Sequence, residues 1–343
     1  MKLDLMTGGR KLRDVADLAR RAEAAGISGM ILTEGGRTAY LSAAAAALAT
    51  EDFEIGTGIA VAFPRSPMVT AQCAWELADA SAGRFHLGLG TQVRAHIERR
   101  YGTDFDPPGP RLREYVLALR AIFRGFQGTE KLDFHGDYHD LSLLPAMWSP
   151  GPIDHPDVPI LVAAVGPWMT RMAGEVADGI HVHPFHSPTY LRERLLPSVA
   201  QGAVNADRDP SDIELVIPAF TIVGDTEEER EPLRQQARTQ IAFYGSTRNY
   251  AFMFDMLGFE GTSARLNEKM KVGDIGGMAE LITDEMLEHY AITSTWDDLP
   301  GALVDRYGGL ASRVVMYFID GMAAKDPTML DRFGEVAGAI ADA

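Results

Sequence analysis

Eight short apolar runs, each followed by a longer stretch at helical spacing, constrain this 343-residue chain more than any other feature. The runs fall at 2–7, 29–34, 53–61, 84–90, 159–166, 179–185, 213–223 and 313–319, and are rich in Val, Ile and Leu. Apolar runs of this length, without strict alternation, read as strands buried on both faces, as in parallel sheets. Helical periodicity marks the stretches at about 11–25, 38–50, 67–81, 110–125, 168–177, 187–205, 226–243 and within 275–308. Eight strand–helix units in strict alternation predict a (β/α)8 TIM barrel, with residues 1–343 as one domain. Its chemistry is expected at the mouth formed by the C-terminal ends of the strands.

Two stretches are too long to be simple connectors. One, near 127–158, contains KLDFHGDYHDLSL, two alternating runs around His135-Gly136-Asp137 that predict a hairpin. The other, near 244–274, is aromatic and Met-rich. Both insertions are expected at the mouth or beside it. The run Gly88-Leu89-Gly90 raises an open dinucleotide-binding sheet as a competing fold. That fingerprint needs a third glycine where Val93 stands, and it belongs to the first strand–helix unit rather than the fourth. The barrel is the better reading.

The chain carries 32 Lys and Arg against 48 Asp and Glu, a net charge of −16. Such a balance argues against a nucleic-acid or anionic-membrane partner, because phosphate contacts need clustered cations. No apolar run reaches the roughly 18 residues that span a bilayer, and MKLDLMTGG has no leader-like apolar core. A single cysteine, Cys73, excludes an intramolecular disulfide. A cytoplasmic enzyme acting on a small molecule is expected.

Several side chains stand where barrel chemistry sits. Glu34 ends the second run, where a raised pKa would make it a general acid; helix capping or pairing with Arg37 are the plainer alternatives. His181 and His183 alternate on one strand face, and His186 follows. An H-x-H pair invites a metal, but a third ligand is missing from the pattern, with His96 and Asp320 as spatial guesses. Ala164-Val165-Gly166-Pro167 turns a strand into a helix whose first N–H groups could hold a phosphate; a tight turn would use the same glycine. Arg94, His96, Arg99 and Arg100 form the clearest basic cluster. Pairing with surface acids suits Arg99 and Arg100, while Arg94 is left open to an acidic ligand. His135 and His139 read as solvated. The aromatic stretch Phe243, Tyr244, Tyr250, Phe252 and Phe254 fits a lid, a subunit interface or a packed cluster.

Three blocks in register, across residues 1–320, carry a family resemblance. They are IGTGIAVAFPRSPMVTAQCAWELADASAGRFHLGLGTQ, then the hairpin FHGDYH followed by Ser149-Pro150-Gly151-Pro152, then VPILVAAVGPWMTRMAGEVADGIHVHPF. The chain resembles the luciferase-like monooxygenase superfamily, in particular its coenzyme F420-dependent oxidoreductases. The resemblance implies a barrel of the bacterial-luciferase-like type with a deazaflavin or flavin ring across the mouth. It implies a non-prolyl cis peptide at Gly58–Ile59 against the ring, and a homodimer. By the same resemblance, Gly58, Ile59, Gly90, Thr91, Gln92, Ala164, Val165, Gly166 and His183 bind the cofactor, with Glu34 and His183 as the catalytic candidates. Relatives often carry an Asp-His pair where this chain has Thr33-Glu34, so the proton donor departs from the family pattern. Some place a glutamate acid where Gln92 stands, and Gln transfers no proton at neutral pH.

The expected reaction is hydride transfer between F420 and an organic substrate. FMN with O2 chemistry is the alternative on the same fold. A metal-dependent hydrolase using His181 and His183 is the alternative of another class, and a non-catalytic cofactor carrier the last. F420 usually carries several tail carboxylates and FMN ends in one phosphate, so the acidic composition does not favour F420.

Overall fold

In the computed structural model, which describes residues 1–317 and 319–341, the eight runs form eight parallel strands closed into a barrel. They are β1 Lys2–Gly8, β2 Gly29–Thr33, β3 Glu54–Thr57 (resuming at Ala60–Val61), β4 Phe85–Gly90, β5 Ile160–Ala164, β6 Gly179–Val182, β7 Glu214–Val223 and β8 Arg313–Met316. Each pairs with its successor, and β8 returns to β1 through Lys2 opposite Arg313 and Leu5 opposite Met316. Phe318, inside the run expected at 313–319, and residues 342–343 lie outside the described residues.

Strand alternation sorts the side chains into two cores. Leu3, Leu5, Ile55, Leu87, Ile160, Ile180 and Val314 turn outward into the main core beneath the helices. Inside the barrel, Met6, Ile31, Leu161, Val216 and Val315 form a small apolar plug. Below it Arg313 grips Asp4 with Nε and Nη2 at 2.6 and 2.8 Å, and its Nη1 reaches Glu54, which Lys2 also contacts. Removing one partner from so buried a pair leaves an uncompensated charge, so this network ties β1, β3 and β8 together at the closed end.

Two imidazoles complete the interior. A Cβ on Gly56 would fall 2.0 Å from His86 Cε1, and one on Gly88 would fall 1.9 Å from the Thr57 carbonyl and 2.4 Å from His181 Nε2. Gly88 is therefore glycine because a histidine ring and a neighbouring strand occupy the place of a side chain.

The stretch expected as helix within 275–308 is broken. Helices Ile275–Glu280 and Asp284–Tyr290 are followed by a strand, Ala291–Ser294, and then helix Leu299–Tyr307. The strand forms because β7 is ten residues long and runs past β8, leaving Phe220–Val223 free to pair with it. The 244–274 stretch holds helices Ala251–Asp255 and Thr262–Lys271. At 127–158, Phe134–His135 pairs antiparallel with Asp140–Leu141. The tip of this hairpin is pinned by Glu114, whose carboxylate accepts the Asp137, Tyr138 and His139 N–H groups at 2.6–2.8 Å. His139 is accordingly half-buried, with Nδ1 3.1 Å from Glu114, rather than solvated. Among the described residues no helix is long and apolar enough to cross a membrane.

Candidate active site

The strand ends build a small-residue floor. Gly58–Ile59 is a cis peptide, and the Ile59 side chain lies over Gly90: a Cβ there would sit 2.9 Å from Ile59 Cγ1 and 3.5 Å from Ala163 Cβ. Ile59, Gly90 and Ala163 thus meet across β3, β4 and β5. Ala164 turns its side chain outward into the packed helices, so β5 offers the mouth Ala163 and the main chain of Val165 and Gly166. Beyond Gly90, Thr91 donates to the Gln92 carbonyl at 3.1 Å, and the Gln92 side-chain oxygen accepts the Val93 N–H at 2.9 Å. Gln92 has φ +59°, a conformation that costs a non-glycine residue of order 1 kcal/mol or more and that clusters at ligand sites.

At Gly166 the helix Pro167–Val176 begins with no side-chain cap. Tyr190 donates its hydroxyl to the Val165 carbonyl at 2.6 Å and holds the turn. Nothing lies within 4 Å of where a Gly166 Cβ would be. Uncapped first-turn N–H groups beside open space can hold a phosphate without a cationic side chain.

Beside this turn, at the end of the neighbouring strand β6, stands His183. Its Nδ1 accepts the Phe185 N–H at 3.1 Å, so the ring proton resides on Nε2 and that nitrogen is a donor. Burial pushes its pKa down to about 4, keeping the ring neutral at pH 7. The rings of Tyr244 and Tyr250 pack on it with centroids 4.7 Å away, and the Tyr244 hydroxyl meets that of Tyr317. The aromatic insertion therefore reaches the mouth through Tyr244 and Tyr250. His186 secures the loop below: its Nδ1–H donates to the His183 carbonyl at 2.9 Å, and its Nε2 accepts from Tyr307 at 3.2 Å.

Glu34 is not paired with Arg37. Its Oε2 accepts the Val61 N–H at 2.7 Å and Arg65 Nη1 at 2.9 Å, and its Oε1 accepts Arg65 Nη2 at 2.5 Å. Arg65 also donates to the Val61 carbonyl at 3.0 Å and lies over the Tyr40 ring. Tyr115 in turn donates to the carbonyls of Arg65 and Ser66 at 3.2 Å. Arg37 instead donates to the Gly9 carbonyl at 3.2 Å. The basic cluster is likewise arranged the other way round: Arg94 pairs with Glu98 and Asp106, while Arg99 and Arg100 make no ion pair among the described residues.

Among the described residues no three His, Cys, Asp or Glu side chains assemble to hold a metal. Asp320 is committed to Arg10 and to Thr7 at 2.8 Å, and His96 lies against Arg100. A cleft of about 630 Å³ opens at the other end of the barrel between Arg120, Asp178 and Glu214, where Arg120 and Asp178 already neutralise one another at 2.9 Å. Barrel enzymes carry their chemistry at the strand C-termini. Arg65, Tyr190 and Tyr317 are the mouth residues that sequence reasoning missed. Tyr317 had a signal, since Arg313, Val315 and Tyr317 share one strand face.

A sequence model described as luciferase-like monooxygenase matches residues 2–313. An uncharacterized protein of Mycobacterium tuberculosis is 38% identical over 309 residues, covering 90% of this chain and 91% of that protein. A 5,10-methylenetetrahydromethanopterin reductase of Methanolobus tindarius is 28% identical over 291 residues, covering 83% of each. The solved structure of a coenzyme F420-dependent tetrahydromethanopterin reductase from Methanopyrus kandleri superposes with a TM-score of 0.77 at 19% identity, over 97% of each chain. With its fold and nearly all its strands inside the matched region, this chain belongs to the luciferase-like monooxygenase family and is an oxidoreductase.

Proposed function

We propose that the protein transfers a hydride between coenzyme F420 and an organic substrate at the barrel mouth. One observation carries the reading: a small-residue floor of Ile59, Gly90 and Ala163 across β3–β5 is flanked, on its β5–β6 side, by an uncapped helix N-terminus at Gly166 and a hydrogen-bond donor at His183 Nε2. A planar ring with a phosphate arm fits that arrangement, and the similarity to the coenzyme F420-dependent reductase from Methanopyrus kandleri favours the deazaflavin. When bound, the deazaflavin supplies the hydride chemistry.

The chain's own residues supply binding and orientation. The Gly166 N–H and the first-turn N–H groups after Pro167 hold phosphate, and Ile59 and Gly90 support the ring. His183, neutral with its proton on Nε2, donates a hydrogen bond to a substrate oxygen. Donors aimed at developing negative charge are worth roughly 10²–10³ in rate. Tyr250 and Tyr244 exclude water from that imidazole. Glu34, with both oxygens engaged by Arg65 and Val61, shapes the loop after β3 and is a positioning residue in this reading. The substrate is a small molecule, the enzyme acts in the cytoplasm, and its working form is a homodimer. Fluorescence quenching by F420 and, separately, FMN tests the reading. Micromolar F420 affinity with negligible FMN binding is expected; the reverse preference moves the assignment to a flavin monooxygenase.

A further inference from the structure

The rim segments that follow β1, β2 and β4 carry five cations without acidic partners among the described residues. Arg37, Arg99, Arg100, Lys11 and Arg13 are all exposed, and among the described residues none makes an ion pair. In a chain with 48 acids to 32 bases, exposed arginines ordinarily sit beside carboxylates, as Arg20, Arg21 and Arg94 do here.

Two of the five are held in place by main chain. Arg37 Nε donates to the Gly9 carbonyl at 3.2 Å, and Arg100 Nη2 donates to the Gly35 carbonyl at 2.5 Å. Each bond uses one of five guanidinium N–H groups, so the fork of each is fixed while donors remain free. Arg99 and Arg100 lie in a π-helical turn, Ile97–Tyr101, a distortion that recurs at functional sites. This turn carries Arg100 from the end of β4 across to the loop after β2.

A second observation concerns the helix after β1. Leu12–Ala24 starts at Lys11 with no side-chain cap, so its first N–H groups are unsatisfied by protein side chains. Lys11 and Arg13 flank that end, where a cation opposes the helix dipole. Asp14 is the acid of that turn, and it pairs with neither of them. No heavy atom lies within 4 Å of a Cβ built on Gly9, Gly35 or Gly36, so the approach is open. Uncapped N–H groups, fixed guanidinium forks and open space together suit an anion with several charges.

We infer that this rim is a binding site for a multiply charged carboxylate or phosphate arm. It is distinct from the Gly166 turn: β1 and β5 stand four strands apart in an eight-strand circuit, on opposite sides of the mouth. The inference goes beyond the cofactor reading and stands without it, because it rests on the rim residues alone.

Calorimetric titration of the cofactor-free protein with citrate at low ionic strength tests the site. The comparison is among wild type, R37Q/R100Q and R20Q/R21Q, the last removing the same charge from the opposite end of helix Leu12–Ala24. Citrate binding is expected to weaken at least tenfold in R37Q/R100Q, to change less than twofold in R20Q/R21Q, and to decline with added salt. An unchanged melting temperature in R37Q/R100Q separates loss of the site from loss of the fold. No citrate binding by wild type, or equal weakening in both variants, overturns the inference. Titration with F420 and with its tail-free chromophore then identifies the source of the arm. Loss of affinity for F420 alone assigns the rim to the cofactor tail, whereas unchanged F420 affinity with lost citrate binding assigns it to the substrate. Failure of F420 to bind any variant would count against the cofactor reading while leaving the citrate result intact.

Discussion

Arg65 closes on Glu34 with both terminal nitrogens, and the carboxylate also accepts the Val61 N–H, so one ion pair joins the end of β2 to the loop after β3. The Glu34 side chain is almost fully buried and that of Arg65 about four-fifths buried. Removing the cation leaves a buried carboxylate unmatched, which costs roughly 3–5 kcal/mol. Arg65→Met is therefore expected to lower stability by that amount in chemical denaturation. Glu34→Gln keeps hydrogen bonds to the loop and should lose less. Once a substrate is known, Glu34→Gln is expected to retain kcat within about tenfold, since general acids typically contribute 10²–10⁴. A thousandfold fall in kcat with an unchanged melting temperature would restore Glu34 as the acid.

His183 should titrate far below an ordinary histidine. Nitrogen-15 NMR is expected to show the proton on Nε2 at pH 7 and a midpoint near the value of about 4 that burial imposes. An Nδ1–H tautomer would remove the donor on which the proposed mechanism depends. His183→Ala should reduce turnover by roughly 10²–10³ while leaving F420 affinity within a few-fold.

Acid should destabilise the fold through histidines kept neutral inside it. Burial lowers His181 to about 4 and His186 to about 3, and pushes His86 well below its ordinary 6.5. Between those values and 6.5 the unfolded chain binds protons that the folded chain refuses, so stability rises with pH across that window. The slope is about 1.4 kcal/mol per pH unit for each such histidine. Stability should be complete above about pH 6.5 and fall on acidification toward pH 4. Melting curves from pH 7 to pH 4 for wild type and His186→Gln check this. The variant should show a shallower decline, and parallel curves would exclude the contribution.

Gly166 and Gly88 should part company when each gains a methyl group. Gly166 has an ordinary φ of −77° and open space around it, so Gly166→Ala is expected to melt like wild type yet bind F420 at least several-fold more weakly. Gly88→Ala drives a carbon into the Thr57 carbonyl and the His181 ring, both held by the barrel wall. Overpacking of this kind costs about 1–3 kcal/mol and can exceed it. Thermal melting paired with a fluorescence titration distinguishes the two classes.

The barrel was legible because eight buried strands must be apolar, and apolar runs are the strongest periodic signal a chain carries. The Ala291–Ser294 strand was not, because four residues with a β-branched pair gain their partner only where β7 overruns β8. At the mouth, Gly58, Ile59, Gly90, Gly166 and His183 follow from strand-end position and family pattern. Arg65 could not be matched to Glu34 from sequence, since they stand 31 positions apart with a strand between them. The basic cluster was divided wrongly for a related reason. Arg94 finds Asp106 only when the chain folds back over Phe105, whereas Arg100 reaches across to a main-chain carbonyl that no residue pattern announces.

The overhang of β7 gives the mouth a high bank and a low one. Ten residues of strand extend about 33 Å, roughly twice the reach of the five residues in β2. Past Ala219 the strand leaves β8 and leans on Ala291–Ser294. The high bank is thus a braced, apolar wall on the β7 side, and the ground falls toward the glycines and free guanidinium groups above β1 and β2. A long ligand with an apolar end and a charged end has one natural heading in such a vessel, oily end against the wall and charged end over the lip.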